Sequence, residues 1–218
     1  MATTVYFDLD GTLLNYSTSF AELFAQTLPI EVTTEMSETY SEQVLRNIRN
    51  LAGRPYQRAF EAVRDEYDLD VDPEALAAEY VEMEATATRI SHAVVSLVES
   101  IATRHHTGVL TNGDGRMQRR KIEIHGLDEL VDEIIISNEV GARKPDRDIF
   151  EEAKKRLPAD TFVYVGDTFE EDIVPAREAG FKTVYVGEED QPNAPVAANT
   201  TEELAGVLLP LLSTGSAE

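Results

Sequence analysis

The chain has 218 residues, 42% of them hydrophobic, no cysteine, and a formal net charge of -22. The hydrophobic share supports a packed core and excludes the disordered class, and the lack of cysteine excludes disulfides and thiolate metal sites. Such a charge repels nucleic acid and anionic membranes at long range, so neither is expected as a partner; a local cluster of cations and metal can still hold a small phosphorylated metabolite.

The N-terminus opens directly into Thr3-Thr4-Val5-Tyr6-Phe7, with no basic segment or long apolar run ahead of it. No signal peptide is expected, no apolar run is long enough to cross a bilayer, and a cytoplasmic protein is the expectation. Val5-Tyr6-Phe7 predicts the first strand. From about Tyr16 to Ala87 the periodicity is helical throughout, with stripes Phe20/Leu23/Phe24/Leu28, Tyr40/Val44/Ile48/Leu51, Phe60/Val63/Tyr67 and Leu76/Tyr80/Met83. A helix over Val94, Leu97, Val98 and Ile101 follows, then a second strand at Thr107–Leu110 and a third at Ile134–Ile136. Ile149, Phe150, Ala153 and Leu157 mark another helix, Phe162–Val165 a fourth strand, and a helix from near Phe169 ends at Gly180. Thr183–Val186 is the fifth strand, Gln191–Thr200 a surface loop, Leu204/Val207/Leu208/Leu211 the last helix, and Ser213–Glu218 a frayed tail. Short strands apolar on both faces are buried parallel strands. The fold class is therefore α/β, a parallel sheet whose first and second strands are separated by an inserted helical module: residues 1–15 and 88–218 form the core, residues 16–87 the insert.

Four motifs carry chemistry. Asp8-Leu9-Asp10-Gly11-Thr12 directly follows the first strand, and side chains two apart in extended chain point the same way. Asp8 and Asp10 thus aim at the carboxyl edge of the sheet, where open α/β sheets bind ligands. Close carboxylates repel unless a cation or proton intervenes, and hard oxygen ligands favour Mg2+; an Asp-Gly turn is the plainer alternative. Gly166-Asp167-Thr168-Phe169-Glu170-Glu171-Asp172 places further carboxylates at the same edge. Asp167 suits metal ligation there, whereas Glu170 suits a helix N-terminus. Thr111-Asn112-Gly113 after the second strand can hold a phosphoryl oxygen through a hydroxyl and backbone N–H groups, or be a simple turn. Lys144-Pro145 places one of only five lysines after the third strand, with Pro145 suited to a helix start. That lysine is either a counter-charge for a nucleophilic carboxylate or a surface residue.

In this order and at these places, the four motifs resemble the haloacid dehalogenase-like hydrolase superfamily, in the branch whose helical cap lies between the first and second motifs. The resemblance covers nearly the whole chain. It implies a Rossmann-like core with a mobile cap and phosphatase chemistry, with Asp8 as nucleophile, Asp10 as general acid/base, Thr111 binding the phosphoryl group and Lys144 stabilising charge. It also implies Mg2+ as cofactor, held by Asp8, the backbone carbonyl of Asp10, and Asp167, with Asp172 as a further ligand or supporting partner. The family often carries Asn before that last acid; this chain has Glu171, which leaves Glu171 and Asp172 as alternatives, the spacing from Asp167 favouring Asp172. A Gly-Arg-Pro loop, Gly53-Arg54-Pro55, resembles cap loops that lie over substrate, making Arg54 a candidate contact alongside Thr111 and Asn112.

His92, His105, His106 and His125 lack ligand spacing and read as structural; Arg119-Arg120-Lys121 reads as a solvated helix face. Family dehalogenases generally lack the second acid, so Asp10 argues against that reaction. A phosphomutase keeps the same acids, and a non-catalytic binding protein would be expected to have lost one of them. The substrate alcohol is open among sugar phosphates, phosphoglycolate, nucleoside monophosphates and pyrophosphate-like molecules. Finally, dispersed acids and sparse lysine predict adaptation to high salt, where the Debye length is ~3 Å at 1 M and self-repulsion is screened. Unfolding curves in dilute buffer and in molar KCl should show markedly higher stability in salt; equal stability would overturn the expectation.

Overall fold

In β1 (Thr3–Phe7) Val5 and Phe7 pack on one face of a sheet and Tyr6 on the other, all fully buried. That is the pattern of a strand covered on both sides. The computed structural model describes residues 2–187, 197–198 and 200–213. After β1 come β2 (Asn15–Tyr16), the helices α1 (Phe20–Thr27), α2 (Thr34–Arg49), α3 (Pro55–Tyr67) and α4 (Pro73–Thr86), and β3 (Thr88–Arg89). Then follow α5 (His92–Ala102), β4 (His106–Thr111), α6 (Gly115–Ile124), β5 (Glu133–Ile136), α7 (Ser137–Val140), α8 (Arg147–Arg156) and β6 (Thr161–Gly166). The chain continues through α9 (Val174–Glu178), β7 (Lys182–Val186), β8 (Ala197–Ala198) and α10 (Thr201–Ser213).

Six strands form one parallel sheet in the order β5-β4-β1-β6-β7-β8. The architecture is thus the expected α/β, Rossmann-like core. On one face, Val5, Phe7, Val109 and Val165 pack with Val98 and Ile101 of α5 and Leu208 of α10. On the other, Tyr6, Leu110, Ile135 and Tyr164 meet Ile149 and Phe150 of α8 and Ala176 of α9. Burying a side chain such as Phe7 contributes about 1.5–3 kcal/mol. Because all six strands run the same way, every loop after a strand emerges at one edge.

The helices α1–α4 gather around their own apolar cluster, in which the rings of Phe24 and Tyr40 stack with centroids 4.5 Å apart. Their helix starts are encoded locally: Ser19 and Glu22 form a capping box, Thr33 caps α2, and prolines open α3 and α4. The chain enters and leaves this helical group through an antiparallel pair, Asn15↔Arg89 and Tyr16↔Thr88. Met117 of α6 joins the cluster from the sheet side.

Several details differ from the sequence reading. Leu51 falls beyond the end of α2 and has φ 52°. The helix after Lys144 starts at Arg147 with Asp146 as its N-cap, so Pro145 lies in the turn before it. The stretch after Thr168 begins as a π-helical turn, Phe169–Ile173, before α9. Of the loop expected at Gln191–Thr200, residues 191–196 and 199 lie outside the described residues, while Ala197–Ala198 form β8. The tail 214–218 also lies outside them. Among the described residues no helix is long and apolar enough to cross a membrane.

Candidate active site

Asp8 directly follows β1, Thr111 ends β4, and Asp167 directly follows β6. The backbone N–H of Asp8 donates to the Val165 carbonyl at 2.8 Å, which holds the first acid beside the end of β6. Carboxylate oxygens of Asp8, Asp167 and Asp172 all lie within 4.8 Å of one another. Lys144 sits between two of them: its Nζ is 2.7 Å from Asp8 Oδ1 and 2.6 Å from Asp172 Oδ1, and it donates to the Tyr164 hydroxyl at 2.9 Å. Lys144, Asp8 and Asp172 are all buried.

Burial pushes the Asp8 carboxyl up; Lys144 opposes that shift and Asp172 adds to it. Asp167 is likewise raised, by burial and then by Asp172. For Lys144 burial alone would lower the ammonium, but Asp172 and Asp8 outweigh it and hold the pKa well above its ordinary value. One lysine thus bridges two of the three converging acids.

Two glycines make this closeness possible. Gly11 has φ 85°, and a Cβ there would lie 2.1 Å from Asp167 Oδ2. A Cβ on Gly166 would lie 2.6 Å from Asp172 Cγ. Gly11→Ala is therefore expected to cost at least about 1–2 kcal/mol from backbone strain alone, measured by thermal unfolding, and to displace Asp167 as well.

Glu171 and Asp172 turn to different partners. Glu171 turns outward to Arg143 at 3.0 Å and accepts from Asn112 Nδ2 at 3.1 Å. Asp172 turns inward, and its Oδ2 accepts from the backbone N–H of Thr168 at 3.0 Å. Asn112 is a brace: its amide donates to the Lys144 carbonyl at 3.0 Å and accepts from the Lys144 N–H at 2.9 Å. Thr111 is buried, and its hydroxyl accepts from Gln118 Nε2 at 3.0 Å. Arg54 does not join the group. It caps α3 with φ 56°, is exposed, and its guanidinium donates to Gln57 at 3.4 Å.

Asp10 stands apart from Asp8 in a network that the sequence reading missed. Its Oδ2 accepts from Gln118 at 2.7 Å, and its Oδ1 from the Tyr16 hydroxyl at 2.8 Å and from Lys121 Nζ at 3.1 Å. Lys121 also pairs with Glu84 of α4 at 2.9 Å and is only 2% exposed. The reading of Arg119-Arg120-Lys121 as a solvated face is correct for the two arginines, which pair with Glu139 and with Glu82 and Glu123, and wrong for Lys121. The signal was the stripe Met117-Gln118…Lys121-Ile122, the buried side of α6. Burial pushes the Asp10 carboxyl up, but Lys121, Gln118 and Tyr16 together outweigh it and hold the pKa below its ordinary value. Lys121→Met strands two acids and is expected to cost about 3 kcal/mol in denaturant unfolding, the low end for a broken buried pair because Asp10 reaches water. Pairing it with Glu84→Gln should recover part of that loss.

A cavity of ≈ 660 Å³ opens between these acids and the helical group, lined by Asp10, Gly11, Asn112 and Asp167 on one side and by Phe20, Leu45 and Tyr56 on the other.

A family model for haloacid dehalogenase-like hydrolases matches residues 5–186. The chain belongs to that family. It is 30% identical over 199 residues to a glyceraldehyde 3-phosphate phosphatase of Methanothermobacter thermautotrophicus, covering 87% of each chain. It is 27% identical to the pyrimidine 5'-nucleotidase YjjG of Escherichia coli, covering 84% of each. The fold is shared with the magnesium-bound HAD-hydrolase YfnB of Bacillus subtilis, with a TM-score of 0.71, 22% identity, and coverage of 95% of this chain and 98% of that one. With relatives of this kind along most of its length, the chain is a phosphatase-type enzyme of the haloacid dehalogenase-like family.

Proposed function

We propose that the protein hydrolyses a small phosphomonoester with Mg2+ through a phospho-aspartate on Asp8. The observation that carries this is the buried bridge from Asp8 through Lys144 to Asp172, set beside Asp167 at the carboxyl edge of the sheet. The donor set fits Mg2+: hard carboxylate oxygens, converging, with their negative charge only partly neutralised by one lysine. Asp8, Asp167 and the backbone carbonyl of Asp10 would hold the ion. Asp172, whose oxygens already take Lys144 and the Thr168 N–H, would support it by fixing Lys144. The ion would supply charge neutralisation for the incoming phosphoryl group.

Asp8 Oδ attacks phosphorus as the bond to the alcohol oxygen breaks, and Asp10 gives that oxygen a proton. Asp10 then takes a proton from a water that attacks the aspartyl phosphate, releasing phosphate and restoring Asp8. Held ionised at rest, Asp10 is set for this second role; the approach of a phosphate dianion favours the protonated form that the first role needs. Lys144 holds the Asp8 oxygen and offsets charge on the transferring group. The helices of residues 16–87 would act as the cap, jointed at β2 and β3, excluding water from the site.

Phosphate release from a panel of phosphomonoesters in molar KCl tests the reading. Turnover is expected with Mg2+ and none after chelation; turnover indifferent to chelation would overturn it. The dispersed acid surface and sparse lysine support working in high salt, where the same assay should run fastest.

A further inference from the structure

The cavity at the acid cluster has one polar end and one apolar end. The apolar end is built from Phe20 of α1, Val44, Leu45 and Ile48 of α2, Tyr56 of α3 and Tyr80 of α4. Its back is rigid, since the Tyr80 ring lies 5.2 Å from that of Tyr40 and 5.5 Å from that of Tyr56. Its front is not covered: Phe20 is 50% exposed and Leu45 52% exposed, two of the few large apolar side chains left open to solvent. Val44 packs against the apolar cluster of the helices and, with Ile48, also lines this space. Such a surface, continuous with Asp10 and Asp167, is suited to the alcohol part of the ester rather than to its phosphate.

Charge narrows the class further. The ionisable side chains lining the cavity, tyrosines aside, are Asp10, Glu84, Asp167 and Lys121. Lys121 is already shared between Asp10 and Glu84. A second anionic group on the alcohol would meet acids and no available cation, at a cost in desolvation and repulsion. A three-carbon alcohol would leave most of the ≈ 660 Å³ unfilled.

We infer that the substrate is a phosphomonoester whose alcohol is bulky, presents a flat or apolar face to the wall of Phe20, Leu45 and Tyr56, and carries no second anionic group. This rests on the hydrolytic reading above and deepens it by naming the substrate class.

The test compares benzyl phosphate, glycerol 3-phosphate and phosphoglycolate. All are esters of primary alcohols, so their leaving-group reactivity is similar and the cavity decides. A single methylene in an apolar pocket changes kcat/KM by ~10–200-fold. The expected order is benzyl phosphate above glycerol 3-phosphate by at least ~10-fold, with phosphoglycolate last. Leu45→Ser, at an exposed position that the fold tolerates, should lower kcat/KM for benzyl phosphate by ~10-fold more than for glycerol 3-phosphate. Equal or inverted preference in the wild type, or an equal loss on both esters in Leu45→Ser, overturns the inference. Calorimetric binding of the same three esters to Asp8→Asn in Mg2+ buffer separates the two claims. The same order of affinity without any wild-type hydrolysis would sink the hydrolytic reading and support the cavity's preference. Hydrolysis with no preference in either assay would do the reverse.

Discussion

Asp8→Asn is expected to lower phosphate release by ~10⁴-fold or more, the scale seen when a covalent nucleophile is removed. The fold should survive. Asp8 has a pKa raised above its ordinary 3.8 by burial, with Asp172 adding to the shift against Lys144. A carboxyl with a higher pKa folded than unfolded binds more protons when folded. Its contribution to stability is therefore lost as pH rises from that ordinary value through the raised one. Asparagine, which never ionises, removes this penalty. In chelated buffer at neutral pH the variant should remain folded, Lys144 keeping Asp172 as its partner, while being inactive. Mg2+ should raise the wild-type Tm more than that of the variant, because the variant has lost one anionic ligand. Activity surviving in a folded Asp8→Asn protein would remove Asp8 from the mechanism.

Lys144→Met is expected to act on both stability and rate. It leaves Asp8 and Asp172 buried without a cation, beside Asp167. Breaking a buried ion pair by removing one partner costs about 3–5 kcal/mol, and here two partners are stranded, so the upper end applies. Lys144 has a folded pKa held above 10.5, against the pull of burial, by Asp172 and Asp8. Its stabilising contribution is thus fully present at neutral pH and would fade only above the ordinary lysine value. The rate should fall by ~10³-fold, as when an electrostatic stabiliser of developing charge is lost. Mg2+ at 100 times its Kd should return about 2.7 kcal/mol of the lost stability without restoring the rate. Equal Tm values for Lys144→Met and wild type in chelated buffer would show that the bridge contributes nothing to the fold.

How legible all this was depends on which force shaped each segment. The strands at Val5–Phe7, Thr107–Leu110 and Phe162–Val165 were readable because parallel strands covered on both faces leave unbroken apolar runs. The placement of Asp8 and Asp167 at the sheet edge was readable because they follow such runs directly, and direction is then set by the backbone. Lys121 was hidden by its neighbours: two solvated arginines precede it, and a run of charge masks one inward-facing cation. Asn112 was read as a contact for phosphate, while its side chain braces Lys144 through partners that sequence spacing does not bring together. Ile48 continues the periodicity of a stripe in which Val44 does pack on the core, and hydrophobic period alone cannot tell a packed interior from a cavity wall. β8 consists of Ala197–Ala198, too short and bland in sequence to register as a strand.

The register of β1 has a consequence for how the protein is made. Thr4 pairs with His106 and Thr3 with Thr161, so β1 lies between two strands that emerge from synthesis much later than it does. The four helices that follow it form mainly local contacts and can fold as they appear, whereas β1 must wait for partners across a long stretch of chain. Non-local parallel pairing is slow because loop closure must be completed before it is rewarded. The segment that delivers Asp8 should thus be among the last to gain protection from hydrogen exchange during refolding, well after the helices of residues 20–86. An apolar strand kept waiting in this way is a point of aggregation risk in the nascent chain.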